Sequence, residues 1–157
     1  MKILKPPKAL RLNKKPGVFL AGSIDQGAAV DWQQEITDAL LTIDLDIVLL
    51  NPRRDHWDLT WDQDDSNPEF VRQVNWELDA MDKAEMIVMY FAPNTKAPIT
   101  MLELGLHART NNLVVCCPDG YWRKGNVDIT CKRFKIKTVD TVNELLYAIL
   151  NKYDRPL

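Results

Sequence analysis

The sequence is short of the residues on which several classes of protein depend. Of its 157 residues only three are cysteine, six are glycine and two are histidine. Two of the cysteines, Cys116 and Cys117, are adjacent in a predicted strand, where neighbouring side chains point to opposite faces. They are therefore poor candidates for a disulfide or a metal site. This cysteine usage is typical of a reducing compartment, and we expect a cytoplasmic protein.

Long apolar runs and an excess of basic charge are also missing. The apolar segments are too short to span a bilayer, so we expect no membrane partner. The first 15 residues are basic, interrupted by proline and without the apolar core of a signal peptide, and are interpreted as a lead-in that either packs on the surface or stays mobile. The formal net charge of −2 argues against a nucleic-acid polymer as the partner.

The sequence does contain short apolar segments that alternate with amphipathic ones. We expect one domain spanning residues 1–157, because this length allows a full core. The order of the segments predicts an α/β fold, a three-layer sandwich with a mostly parallel sheet. The predicted strands are 17–21, 46–50, 86–91 and 113–117, with a weaker edge strand within 127–139, and the predicted helices are 28–43, 68–84, one from 98 and one from 141.

One acid, Glu103, stands on the otherwise mostly apolar helix that is predicted to open at Pro98. This helix follows a buried strand, and ligands of open α/β sheets sit where strand carboxyl ends meet helix amino ends. Thr100 and Glu103 also satisfy the capping-box pattern, in which the glutamate only satisfies a backbone amide. A proline at the first helical position would instead place Glu103 a turn inside. Thr100, Glu103 and His107 would then line one stripe.

A second acid, Glu77, falls inside the apolar stripe of the helix predicted over 68–84. A buried carboxylate without a partner is costly, so it needs a partner, a ligand or a raised pKa. The alternative to a functional role is a buried salt bridge to Arg53 or Arg54. The predicted stripe consists of Phe70, Val71, Val74, Leu78 and Met81.

Two loops after predicted strands are candidates for binding. The Gly22-Ser23 turn would let backbone amides approach a phosphate or a sugar, unless it is a plain turn between strand and helix. The polar loop over 56–67 contains Trp57 and Trp61, and is either a binding lid or a disordered bulge. Aromatic faces suit flat bases or sugars, which favours the lid. The aspartates of this loop lack a distinctive metal-ligand spacing.

Two carboxyl groups in different environments are suited to glycosidic chemistry. The helix dipole would favour an ionised Glu103, and a charged carboxylate can attack the anomeric carbon of a sugar. Glu77 would then protonate the leaving base or hydrogen-bond to it.

The same residues resemble the nucleoside 2-deoxyribosyltransferase superfamily. The resemblance spans roughly Val18 to Pro118 and is carried by Ala21-Gly22-Ser23, by Glu77 on the helix before DKAEMIVMY, and most specifically by MLELG around Glu103. It implies a flavodoxin-like variant of the Rossmann fold with a five-stranded, mostly parallel sheet, a homo-oligomer, and no cofactor or metal. Members transfer 2-deoxyribose between nucleobases through a covalent glycosyl-enzyme, so nucleosides and free nucleobases are the implied partners.

Position by position, the resemblance implies that Glu103 is the nucleophile and that Glu77 matches an aspartate that contacts the base. Asn94 and Thr95 stand where the family often has another aspartate. Two further readings stay open, a deoxynucleoside monophosphate N-glycosidase of the same fold and a non-catalytic nucleotide-binding module. The other expected substrate-binding residues are Gly22, Ser23 and Asp25 for the sugar, Asn51 and Asn94 for the base, Arg53 for a phosphate, and Trp57 or Trp61 as the closing residue.

Overall fold

The computed structural model describes residues 1–24, 30–58 and 60–154, and Asp25 lies outside this part of the chain. The described residues form six strands and five helices. The strands are β1 (Lys2–Leu4), β2 (Gly17–Gly22), β3 (Val48–Leu50), β4 (Met86–Tyr90), β5 (Leu113–Cys116) and β6 (Lys137–Val139). The helices are α1 (Trp32–Leu41), α2 (Pro68–Lys83), α3 (Pro98–His107), α4 (Lys124–Phe134) and α5 (Val142–Tyr153). None of the helices so described is long and apolar enough to cross a membrane.

The strands form one parallel sheet in the order β1-β3-β2-β4-β5-β6. From β2 the chain moves to β3 on one side and then crosses to β4 on the other side. The crevice between the carboxyl ends of β2 and β4 is therefore the topological switch point, where open α/β sheets bind ligands. The predicted α/β class and parallel sheet are confirmed, but the sheet has six strands and not five.

Helices cover both faces of the sheet, which makes three layers. One core contains the residues of the strands that face α2, α3 and α4, and the other contains those that face α1 and α5. Because both faces are covered, the central strands are continuous apolar runs with almost no exposed residue. Successive residues therefore belong to different cores, as with Phe19 and Leu20 of β2.

The additional strand, β1, comes from the basic lead-in, and this segment packs on the sheet. β1 pairs with β3, and the indole Nε1 of Trp76 on α2 donates a hydrogen bond of 2.7 Å to the carbonyl oxygen of Lys8. Lys5 forms an ion pair of 2.6 Å with Asp55. A three-residue strand among prolines and lysines has no periodicity that could be read from sequence.

The prediction of an edge strand within residues 127–139 is largely wrong. Most of this region is the helix α4, and only the short β6 that follows it is a strand. The buried residues of α4 are Val127 and Cys131, and their separation of four residues is a helical spacing. Lys135, with φ of 55°, ends the helix in the left-handed conformation. The other boundaries lie close to those predicted, and the expected capping box of Thr141 and Glu144 is present.

We predict that Gly22→Ala destabilises the protein by about 2 kcal/mol, because the site has neither the backbone conformation nor the space for a side chain. Gly22 has φ of 153°, and a Cβ atom would lie 2.5 Å from the carbonyl oxygen of Tyr90 and 2.8 Å from the ring of Trp32. Urea unfolding measures the change. Gly125→Ala is the control, since a Cβ there meets nothing within 4 Å. Equal stabilities of the two variants would contradict the prediction.

Candidate functional site

Buried hydrogen bonds join the carboxyl ends of β2 and β4. The amide of Ser23 donates to the carbonyl oxygen of Tyr90 at 3.0 Å, and its hydroxyl accepts from the amide of Ala92 at 3.1 Å. The Ser23 and Thr95 hydroxyl oxygens are 2.8 Å apart, and Thr95 donates to the carbonyl oxygen of Ala92 at 2.8 Å. Gly22, Ser23 and Thr95 thus lie together at the carboxyl edge of the sheet. The Ser23 hydroxyl proton is donated to Thr95, and the Thr95 hydroxyl proton to Ala92, so both protons fix the loop after β4.

This loop turns sharply into α3. Asn94 and Ala97 have φ of 61° and 44°, and the amide of Asn94 donates to the carbonyl oxygen of Gly120 at 3.2 Å. Ala97 precedes the helix without a side-chain cap, and Pro98 is the first helical residue. The capping-box alternative for Glu103 is therefore wrong. The residue lies a turn inside α3, on a buried stripe with Thr100 and His107.

Glu103 is a buried acid with 7% of its surface exposed. No residue in the described part of the chain forms a hydrogen bond or an ion pair with its carboxyl group. Burial, and secondarily the charge of Glu77, raises the pKa of Glu103 to about 8. The helix dipole was expected to keep this acid ionised, but the dipole acts mainly within the first turn, and Glu103 lies beyond it.

Glu77 lies at the edge of the buried face of α2 and not inside an apolar stripe. Its Oε1 accepts a hydrogen bond of 2.8 Å from Nε2 of Gln73, which also donates to the carbonyl oxygen of Pro52 at 2.9 Å. Burial raises the pKa of Glu77 to about 7, and the bond from Gln73 opposes this. The residues of α2 that are buried are Gln73, Trp76, Ala80 and Met81, whereas Val74 is half-buried and Leu78 is exposed.

The expected alternative partners of Glu77, Arg53 and Arg54, are engaged elsewhere. Arg54 donates to Glu69 at 2.6 Å. Nε of Arg53 lies 3.2 Å from the carboxylate of Asp31, the residue that caps α1. The salt-bridge interpretation of Glu77 is therefore wrong, because both guanidinium groups turn toward other acids. The Nη2 atom of Arg53 is buried and has no hydrogen-bond partner among the described residues.

Two more predicted residues hold the loop that follows β3. Asn51 is buried, and its side-chain oxygen accepts from the amide of Arg53 at 2.9 Å. Trp57 packs edge-on against Trp61 with ring centroids 5.3 Å apart, and Arg54 stacks on Trp61 at 4.9 Å. The tryptophan pair is therefore attached to the rest of the chain through Arg54.

Gln73 is the residue of this site that the sequence reasoning missed. It lies four residues before Glu77, so the two side chains share one helix face, and that spacing was a usable signal. In the described part of the chain no group of three His, Cys, Asp or Glu side chains is arranged to hold a metal ion. The site is thus a pair of electrostatically coupled carboxyl groups on α2 and α3, beside the switch point of the sheet.

Two surface concavities, of about 360 and 400 Å³, contain neither Glu77 nor Glu103. They are lined by residues at the amino ends of the strands, such as Met86 and Gly17. Both concavities therefore lie apart from the pair of carboxyl groups.

We predict that the two glutamates make the protein less stable as the pH rises from 5 to 8. Their pKa values in the folded chain, about 7 and about 8, exceed the ordinary 4.5. In this range the unfolded chain releases protons that the folded chain retains, so the free energy of unfolding falls with pH. Urea unfolding at several pH values should give a smaller slope for the double variant Glu77→Gln/Glu103→Gln. Asp79→Asn, at an exposed acid of α2, is the control, and an unchanged slope in the double variant would refute the assignment.

Comparisons with known proteins support the family and the fold. A family model described as "Nucleoside 2-deoxyribosyltransferase like" matches residues 15–121, which include both glutamates. The crystal structure of a conserved protein from Enterococcus faecalis V583 is similar to this chain, with a TM-score of 0.63 and 14% identity. The match covers 88% of this chain and 99% of that chain, and at this identity it shows the fold alone. No curated protein matches the sequence.

Proposed function

Because the chain belongs to the nucleoside 2-deoxyribosyltransferase-like family, we propose that it transfers 2-deoxyribose between nucleobases through a covalent glycosyl-glutamate intermediate. The main support is the pair of buried, coupled carboxyl groups of Glu103 and Glu77. Their raised pKa values favour one retained proton on the pair near neutral pH, and a glycosyl transfer of this kind needs one carboxylate and one acid. Because the pKa of Glu103, about 8, exceeds that of Glu77, about 7, this proton lies mainly on Glu103 in the free protein, and the attack requires its transfer to Glu77.

In the first half of the reaction the Glu103 carboxylate attacks C1′ of a deoxynucleoside. The C1′–N bond breaks, its electron pair goes to the base, and Glu77 supplies the proton that neutralises the base. In the second half a new base attacks C1′, releases Glu103 as the carboxylate and returns a proton to Glu77. A carboxylate stabilises the positive charge that develops on the sugar, so ionised Glu103 is favoured most in the transition state.

The remaining site residues have supporting roles in this proposal. Asn51 and Asn94 contact the base beside Glu77, and Trp57 closes over it. Gly22 and Asp25 hold the sugar, while Ser23 and Thr95 fix the loop from which α3 begins, as their hydrogen bonds support.

The alternative is a deoxynucleoside monophosphate N-glycosidase that yields base and sugar phosphate. The buried Nη2 of Arg53 favours it, because this atom lies beside the start of α1 and has no hydrogen-bond partner among the described residues, so it could donate to a phosphate. A third reading is a nucleotide-binding module without turnover, in which binding survives Glu103→Gln.

We predict that the protein exchanges the base of a deoxynucleoside when a foreign free base is added, and that Glu103→Ala lowers the rate by about 10⁴-fold or more, since the nucleophile is lost. Chromatographic detection of the new nucleoside measures both. Asp79→Asn is the control variant. Full activity of a folded Glu103→Ala protein would refute the assignment. Base released from a monophosphate donor without any acceptor would establish the glycosidase instead.

We also propose that the chain forms a homo-oligomer through the outer face of α3. Ile99, Leu102 and Leu106 are each more than half exposed there. Gly105 lies among these residues. A glycine in the interior of a helix lowers stability, and no atom in the described part of this chain lies close enough to Gly105 to require a residue without a side chain there. Leu78 of α2 is a further exposed apolar residue on the same side of the sheet. Apolar surface of this kind is typical of an interface, and most homo-oligomers pair identical patches.

We predict that Leu102→Glu dissociates this oligomer, because the charge would be buried against an apolar surface. Light scattering coupled to size-exclusion chromatography measures the mass. Ile129→Glu is the control, since Ile129 is an exposed apolar residue of α4. A monomeric wild-type protein, or an unchanged mass in Leu102→Glu, would contradict the proposed interface.

A further inference from the structure

Gln73 connects the acid Glu77 to the segment that follows β3. The residue is 5% exposed, and its Nε2 lies 2.9 Å from the carbonyl oxygen of Pro52 and 2.8 Å from Oε1 of Glu77. Pro52 is thereby held against α2. The position of the Glu77 carboxyl group is thus tied both to its own helix and to the carboxyl edge of the sheet.

The chemistry of these contacts fixes the orientation of the amide. The carbonyl oxygen of Pro52 can only accept a hydrogen bond, so the group that faces it must be the NH₂ of Gln73 and not its oxygen. The NH₂ has two hydrogens, and the two acceptors, Pro52 O and Glu77 Oε1, use both. Glu77 Oε1 is therefore an acceptor whether or not Glu77 is protonated.

A carbonyl oxygen accepts a hydrogen bond better than a hydroxyl oxygen does, so the bond from Gln73 favours a protonated Glu77 that carries its hydrogen on Oε2. We propose that Gln73 is a positioning residue that directs the proton of Glu77 to Oε2, the oxygen left for the leaving base. This inference rests on the proposed function for its role in transfer, but the hydrogen-bond arrangement stands without it.

The unpaired oxygen of Gln73 supports a role for its hydrogens. Oε1 of Gln73 is buried and has no hydrogen-bond partner within the described ranges. A buried acceptor without a partner is destabilising. An apolar side chain of similar length would avoid this cost, so the two donated bonds are the feature that only an amide provides here.

Two variants test the inference. Gln73→Met keeps the length and removes both donors. Gln73→Glu keeps the shape of the side chain but has at most one hydrogen for the two acceptors, Pro52 O and Glu77 Oε1. It replaces the first variant if Gln73→Met fails to fold. Asn75→Ala removes an exposed amide of the same helix and is the matched control.

The first readout is the ¹³C NMR titration of the Glu77 carboxyl group in the full chain without substrate. Its pKa should rise in both variants, because the bond from Gln73 stabilises the charged form, and should stay unchanged in Asn75→Ala. Glu103, the acid coupled to it, is followed in the same spectra. An unchanged Glu77 titration in the Gln73 variants would overturn the inference.

The second readout is the pH profile of base exchange. In Gln73→Met the kcat should fall about 10-fold to 100-fold, as expected when a general acid is misdirected, and the alkaline limb should move to higher pH. A lower kcat with an unchanged profile would mean a merely structural role and would overturn the inference. If the wild-type protein exchanges no base, the proposed function fails, while the NMR titration still decides whether Gln73 controls the proton.

Discussion

The close approach of β2 to β4 at Gly22 is the constraint on which the site depends. Because Gly22 has no side chain, the backbone of Tyr90 and the ring of Trp32 can lie against it. Ser23 is then close enough to accept a hydrogen bond from Ala92. These contacts fix where the chain leaves β4, and therefore where α3 begins and which way Glu103 points. A sheet without this contact would leave Glu103 on a helix of undefined orientation.

Burial of two acids beside each other is the main energetic cost of this arrangement. Neither Glu77 nor Glu103 has a described cationic partner, and the nearby Arg53 and Arg54 bind other acids. A protein selected for stability alone would pair these charges or replace them by apolar residues. Such a cost is typical of sites that transfer protons. Low polarity and repulsion between like charges raise the pKa values of carboxyl groups into the neutral range, where they can give or take a proton.

Much of the fold and the central part of the site could be predicted from sequence, where one local rule decided the outcome. Pro98 fixed the start of α3 and placed Glu103 a turn inside it, and the apolar runs identified the central strands. The predictions failed where the deciding partner is distant in sequence. The buried face of α2 includes Trp76, whose indole donates a hydrogen bond to the carbonyl oxygen of Lys8, and no periodicity reports that contact. The pairing of Arg53 with Asp31 was hidden for the same reason.

The attachment of the tryptophan pair has a mechanical consequence. Arg54 stacks on Trp61 and is ion-paired with Glu69 in the first turn of α2, the helix that carries Glu77 two turns later. Any outward displacement of the indole rings must either break the stacking or the ion pair, or pull on the start of that helix. The position of the tryptophan pair and the position of the helix that carries Glu77 are thus mechanically linked through the guanidinium group of Arg54.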